Sequence, residues 1–524
     1  MFKEGRVDLT FHPSTEQAVS HGHTSTPETT DLVPRLKTPH LSSFKNISPL
    51  LHLTTTSLHL TFNLSTSSLT STLPLVTMPS MPSKSSHPHS PTGISILIVG
   101  AGFAGLTTAI ECHRHGHFVR IYESFPTLKS LGDIISFGAN GGRIFARWSE
   151  GAIAAKLRSL SIDLTGYGFR IHKYDTGEVV YHQPTPLQNP EAPVFNGHRG
   201  ELHQVVFEYA RDELGIEINL GRRVEGYFED GDKAGIVLGD GERATADIVI
   251  GADGVRSKAR QLVLGFEDKP KSSGYAVWRA WFPNTDMIAD PRTSEFCSNG
   301  DTFNGWIGPD VHFLFSTIKN GSDCCWVLTH RDEHGTDESW SFPGKLEDVY
   351  KVLEGWDPIC KAIVEKTPSL VDWKLVYRDP LPTWVSKHAR ILLVGDSAHP
   401  FLPTSAQGAT QAMEDGVTIA VCLRRAGKEG VQAAVRTYQE IRYDRVRAVQ
   451  KTGETTRDRW HKTDWEKVAK DPTSIAFPRE DWIHQHDAQK HAEEVFDEIF
   501  KRFTGPEKDK NEPLLPREEP VAVA

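Results

Sequence analysis

The sequence predicts an α/β protein carrying an inserted antiparallel sheet, and three observations predict it. A continuous apolar, β-branched run at 94–100 (ISILIVG) is followed by a helical stretch over 104–115 and a second run at 117–123 (HFVRIYE). That is the opening of a βαβ unit, whose strands are buried on both faces and so lose the polar alternation. Two later apolar runs, 247–251 (DIVIG) and 390–394 (RILLV), supply further buried strands from distant parts of the chain. Between them, over about 272–385, short aromatic-rich strands such as 275–282 and 312–318 alternate with turns, and eight of the 12 Trp fall within 278–384. This change of texture reads as an antiparallel sheet inserted into the α/β domain. A helix is expected from about Gly408 to Arg425, and from Val431 onward the chain reads as charged and helical.

Composition bounds the partners. The net charge of −10 argues against nucleic acid, because neutralising phosphates needs a surplus of Lys and Arg. No stretch supplies the roughly 18–20 apolar residues of a membrane span. The six cysteines (Cys112, Cys297, Cys324, Cys325, Cys360, Cys422) lack CxxC spacing and fit reduced, buried thiols of a cytoplasmic protein, with no metal site. Residues 1–93 hold 32 Ser or Thr, eight His and no Trp, too polar to offset the entropy of ordering. They read as a disordered extension. An acid-free stretch from Leu32 to Ile110 also suits a transit peptide, against which stand Glu4, Asp8, Glu16, Glu28 and Asp31; a start at Met78 or Met81 is a third reading.

The first chemical motif is Gly100-Ala101-Gly102-Phe103-Ala104-Gly105, a GxGxxG between strand and helix. Gly100 permits the tight turn, Gly102 leaves room for a pyrophosphate, and Gly105 lets helix and strand pack closely. The helix N-terminus offers free N–H groups to phosphates. Glu123, at the end of the next strand, is placed to accept hydrogen bonds from a ribose diol. The motif by itself leaves FAD and NAD both open.

Three later motifs follow in order. They are Arg199-Gly200-Glu201-Leu202-His203, Gly251-Ala252-Asp253-Gly254-Val255-Arg256-Ser257, and Gly395-Asp396-Ser397-Ala398-His399-Pro400 continuing through Gly408-Ala409. Over 94–445 the set resembles the FAD-dependent aromatic monooxygenases of the para-hydroxybenzoate and salicylate hydroxylase type, closest to the fungal secondary-metabolism members. The resemblance implies a Rossmann-like FAD-binding domain with an inserted substrate sheet and C-terminal helices. It implies FAD contacts at Gly100, Gly102, Ala104, Gly105, Glu123, Gly132, Arg199, Asp253, Asp396, Pro400, Gly408 and Ala409. Arg199 would meet the pyrophosphate or ribityl chain, and Asp396 the ribityl hydroxyls. Pro400 and the loop to Ala409 would border the isoalloxazine ring, with the following helix pointing its positive end at it. Two departures from the family pattern are Asp133 beside Gly132, which makes that backbone bulkier, and Ala406 for a Gly, which alters a turn without removing an FAD contact. The expected organisation is 1–93 disordered extension, 94–271 first FAD-binding part, 272–389 substrate sheet, 390–440 second FAD-binding part, 441–503 C-terminal helices and 504–524 flexible tail.

On the substrate side, strand alternation puts Arg279 on one face with Val277 and Trp281, and Trp278 on the other. Relatives use an Arg on this strand to hold a phenolate or act as an acid, so Arg279 is a catalytic candidate. His312 is a second, as a base, with a packed sheet histidine as the alternative. The resemblance implies NAD(P)H as transient co-substrate, since no second dinucleotide fingerprint exists, and oxygen transfer through a flavin C4a-hydroperoxide. The substrate would be an aromatic, polyketide- or indole-type small molecule. Hydroxylation is the leading expectation. Epoxidation or dearomatisation, a flavin oxidase or reductase, and a flavin-binding protein without turnover are the alternatives. A monomer or homodimer is expected.

Overall fold

A computed structural model describes residues 90–128, 134–332, 342–378 and 380–505, all within the unit Pro82–Ala524. Of the sequence expectations, those on 1–89, 506–524 and Gly132 lie outside the described residues.

Five parallel strands form the nucleotide-binding sheet, in the order Ile391–Leu393, Ile248–Gly251, Ser95–Val99, Phe118–Tyr122, Glu217–Asn219. Its register sets apolar residues side by side, Ile96 on Ile248, Ile98 on Ile250 and Val249 on Ile391. Both faces are covered, which is why these runs carry no polar alternation. Helix α1, Phe103–Arg114, packs between the sheet and the helix Gly408–Ala426. The crossing is close because Gly416 meets the backbone of Thr108; a Cβ there would lie 2.8 Å from it.

The larger sheet has eight strands, ordered Phe342–Pro343, Val371–Tyr377, Lys271–Pro283, Asp323–Arg331, Val311–Ile318, Thr302–Gly308, Phe169–Lys173, Val179–Gln183. It is antiparallel except where Thr302–Gly308 runs parallel to Phe169–Lys173, with Asn304 on Arg170. A division at 271/272 therefore does not separate the two sheets. Likewise 440/441 falls inside one continuous helix, Val431–His461, whose buried residues extend on both sides.

The period of two sorts the large sheet's faces. Trp278, Ala280, Trp326, Leu328, Phe313 and Phe315 bury against the helices Leu346–Val352 and Pro358–Glu365 in one core. Val277, Arg279, Val327, Thr329, Leu314 and Ser316 face the other way, into a cleft shared with the nucleotide-binding sheet. All six cysteines are buried. No helix among the described residues is long and apolar enough to cross a membrane.

Candidate active site

The cleft encloses about 1260 Å³ and runs from the end of the Ser95–Val99 strand to the large-sheet face that carries Val277 and Arg279. At its nucleotide end the three glycines meet different demands. Gly100 turns with φ +104, and a Cβ there would lie 2.4 Å from the Ala252 carbonyl. A Cβ on Gly105 would lie 1.9 Å from the Gly100 carbonyl, so strand and helix touch only because it is absent. A Cβ on Gly102 meets nothing within 4 Å: the space above it is open cleft. Gly102 also begins α1 without a side-chain cap, leaving first-turn N–H groups as donors. Glu123 accepts from the Ala101 N–H at 2.8 Å and the Phe125 N–H at 2.9 Å, pinning strand end to glycine turn. Ala104 lines the cleft and is small for a second reason, since Gly395 packs against it.

In the middle of the cleft stand Arg199 and Asp396. Arg199 is the first residue of a helix, Arg199–Glu208, whose N-cap His198 accepts the Glu201 N–H through Nδ1. Asp396 lies in the single turn Gly395–Ser397 that follows the Ile391–Leu393 strand, and its main chain is fixed from two sides. Asp415 accepts the Gly395 N–H at 2.9 Å, while the Arg260 guanidinium donates to the carbonyls of Asp396 and Ser397. Burial raises the Asp396 carboxyl pKa, against the opposing pull of His399, Arg199 and Arg260. Neither the Asp396 carboxylate nor the Arg199 guanidinium has a hydrogen-bond partner among the described residues, and both line the cleft. Asp253 lines it as well, but its carboxylate is largely spent within the protein, on Tyr227 Oη (2.8 Å), the Lys258 N–H (3.0 Å) and Ser397 Oγ (3.2 Å).

At the ring end the residues from Phe401 through Ala409 line the cleft. Pro400, expected there, is not one of them; its carbonyl is turned to Gln450 Nε2 at 2.9 Å, on the long helix. Ala406 adopts φ +50, the left-handed conformation that glycine takes without strain. The Gly408–Ala426 helix opens on the cleft with no side-chain cap, so its first-turn donors are available there.

The sheet wall holds both catalytic candidates. Arg279 is 9% exposed, faces the cleft, and has its guanidinium over the Trp373 ring at 5.0 Å. His312 is 2% exposed with both ring nitrogens engaged: Nδ1 with His461 Nε2 at 2.8 Å and Nε2 with Thr329 Oγ1 at 3.0 Å. It is the packed sheet histidine, with no nitrogen left to take a substrate proton. Burial holds its pKa well below the usual value, with His461 adding to the effect, and burial likewise lowers His461 to about 4. The unfolded chain then binds protons near pH 6.5 that the folded chain refuses. This contribution to stability is complete above about pH 6.5 and is lost as pH falls toward 4. Denaturant midpoints measured across that window should fall with acidification, and His312→Asn should flatten the slope.

Sequence reasoning missed the cleft's outer wall. Phe477, Arg479, Asp481, His484 and Gln485 line it from the C-terminal region. Gln183 holds this segment with paired amide bonds to Phe477 (2.9 and 2.8 Å), and Arg479 donates to the Pro184 carbonyl. No local sequence pattern announces this clamp, because Gln183 becomes buried only through its pairing with a segment 294 positions away.

These features define a dinucleotide-binding oxidoreductase with a roofed, mostly apolar substrate chamber. The open space at Gly102, the unpartnered Asp396 and Arg199, and two uncapped helix ends fit a flavin adenine dinucleotide. Residues 199–452 match the FAD binding domain family, and residues 98–128 the NAD(P)-binding Rossmann-like domain. The chain is 36% identical over 434 residues to FAD-dependent monooxygenase nanF of Aspergillus nanangensis, covering 78% of this chain and 90% of the relative. It is 35% identical over 430 residues to asperlicin C monooxygenase of Petromyces alliaceus, covering 80% and 91%. A crystal structure of CtdE with FAD and substrate 4 superposes with TM-score 0.73 at 33% identity, covering 78% of this chain and 100% of that one. A salicylate hydroxylase substrate complex, at 21% identity and TM-score 0.64 over 77% of this chain and 98% of that one, shares the fold. The chain belongs to the FAD-dependent monooxygenases of fungal secondary metabolism, and its cofactor is FAD.

Proposed function

We propose that the enzyme uses NAD(P)H and O2 to place one oxygen atom on an electron-rich aromatic or related polycyclic small molecule, with hydroxylation as the outcome. The observation that carries this reading is the placement of Arg279. It is a buried cation on a sheet face that it shares with Val277, Leu314, Val327, Ser316 and Thr329, across one cleft from the uncapped end of the Gly408–Ala426 helix. FAD, when bound and reduced, supplies the activation of O2. In this reading Gly102 and the first turn of α1 receive the diphosphate, Arg199 pairs with it or with the ribityl chain, and Asp396 accepts from ribityl hydroxyls. The first-turn N–H groups at Gly408 and Ala409 favour negative charge on the ring. Val277, Leu314, Val327 and Phe477 keep water from the reacting carbon. Arg279 holds a substrate oxygen or nitrogen that gains negative charge as the ring is attacked, which serves a dearomatising or epoxidising outcome equally well.

The test is NADH and NADPH oxidation by the purified holoenzyme in air, against a panel of phenols, indoles and polycyclic aromatics. Many-fold acceleration by one compound class supports the reading. Oxidation indifferent to every compound, with all electrons recovered as hydrogen peroxide, favours an oxidase. With an accepted substrate in hand, Arg279→Met should lower product formation by roughly 100-fold or more while NAD(P)H consumption persists, so that the two become uncoupled. Equal product yield per nicotinamide in both proteins would remove Arg279 from the chemistry.

A further inference from the structure

The chain has one glycine fingerprint, and FAD takes it, so a visiting nicotinamide dinucleotide must be held by side chains. Resting on the reading above, we propose that a groove along α2, Ala139–Ala146, receives the diphosphate and adenosine end of that dinucleotide, with Arg143 as its principal anchor.

The groove encloses about 740 Å³ and shares Arg143 and Asn189 with the main cleft. α2 begins beside the ring end, where Gly138 packs against Gln407, and runs away from it, so that Ala146 and Arg147 border the groove instead. Arg143 lies one helical turn from Ala139, about 6 Å along the axis. A dinucleotide anchored at Arg143 therefore has one end at the flavin site and the other in the groove.

Three guanidinium groups line the groove, and they are not equivalent. Arg147 is spent on Asp487, to which it donates from both terminal nitrogens. Arg158 is held in place by Gln188 Oε1 at 2.7 Å and by the Phe195 ring at 5.2 Å. Arg143 makes no hydrogen bond to another described residue; its Nε is shut away from solvent without a partner, and its charge is felt at Asp487 only through space. A planar fork of donors without a hydrogen-bond partner among the described residues, in one groove with two arginines that are already fixed, suits a diphosphate. Glu150 and Glu191 also border the groove, but both are exposed, where water screens their repulsion. Helix α3, Ala152–Ser159, opens on the groove at Gly151 without a side-chain cap, adding backbone donors.

The experiment is calorimetric titration of the full-length, FAD-loaded enzyme with ADP-ribose, which carries the diphosphate and adenosine but no nicotinamide. Arg143→Ala should weaken binding about tenfold or more at unchanged FAD content, Arg143→Lys should weaken it less, and the KM for NAD(P)H should rise in parallel. Parallel titrations with NAD+ and NADP+ distinguish a bare ribose from a 2′-phosphate in the groove. Failure of the wild-type holoenzyme to bind ADP-ribose, or equal binding by wild type and both variants, overturns the proposal. Arg143-dependent binding of ADP-ribose by a protein whose flavin neither nicotinamide reduces would leave the groove standing and remove the redox reading instead.

Discussion

Gly102→Val should yield a folded protein without flavin. Gly102 sits at φ −72 and ψ −178, extended backbone that a β-branched residue adopts readily, and a Cβ there contacts nothing within 4 Å. Neither the backbone conformation nor the Cβ position resists a side chain here. The added methyl groups instead occupy the open space that we assign to the FAD diphosphate, and affinity should fall by roughly 100-fold or more. Gly105→Val provides the contrast, because its side chain must enter the Gly100 carbonyl 1.9 Å away, so strand–helix packing itself should fail. Flavin absorbance per chain, far-ultraviolet circular dichroism and thermal midpoint together separate the two. Yellow Gly102→Val protein would show that the diphosphate lies elsewhere.

The second large effect is expected at Arg442. Glu414 and Asp415 lie side by side on the Gly408–Ala426 helix, wholly buried, and Arg442 reaches both from the Val431–His461 helix. Its NH1 donates to Glu414 at 2.5 Å and its Nε to Asp415 at 2.8 Å. Arg445 adds two bonds to Glu414 and continues to the carbonyls of Trp482 and Ile483, tying the cleft's outer wall into the same network. Arg442→Met leaves buried Glu414 with Arg445 alone and buried Asp415 with His399 alone, a loss of about 3–5 kcal/mol. FAD binding should weaken too, since Asp415 holds Gly395 and with it Asp396. Burial pushes both carboxyls up, but Arg445 and Arg442 together overcome it and draw the Glu414 pKa far below its usual value, and His399 with Arg442 does the same in lowering that of Asp415. This stabilisation is therefore present above the ordinary carboxylate range and is lost as pH falls through the folded-state values. The difference between wild type and Arg442→Met should be largest near neutrality and should narrow in acid, where protonation neutralises the stranded carboxylates. Denaturant unfolding at several pH values measures it; an absent difference would mean that the cluster carries no net stabilisation, and a difference constant with pH would mean that its stabilisation does not come from the charged carboxylates.

Much of this site could be read from the chain because its parts are local. Gly100, Gly102 and Gly105 compress a turn, a ligand space and a helix contact into fixed offsets, and the structure meets those demands at those three positions. Strand alternation was enough to separate Val277 and Arg279 from Trp278, because the pleat has no other way to distribute them. What could not be read depends on pairing across long separations. The strands within 169–183 join the large sheet through a parallel partner at 302–308, and no local pattern announces that register. Gln183 finds Phe477 across 294 positions. Glu414 and Asp415 on one helix look like a solvated acidic pair until the next helix brings Arg442 and Arg445 against them. His312 fell between two readings for the same reason, since the partner that occupies its Nδ1, His461, arrives from the far end of the long helix. Pro400 is adjacent to the right loop, but one peptide turned toward Gln450 takes it off the cleft.

The fate of isotopically labelled O2 during NAD(P)H oxidation by the holoenzyme with an accepted aromatic compound tests oxygen transfer most directly. One labelled oxygen atom is expected in the organic product, and its yield per nicotinamide should collapse in Arg279→Met. Label recovered only in hydrogen peroxide or water, with the organic compound unchanged in mass while it speeds the reaction, would contradict oxygen transfer.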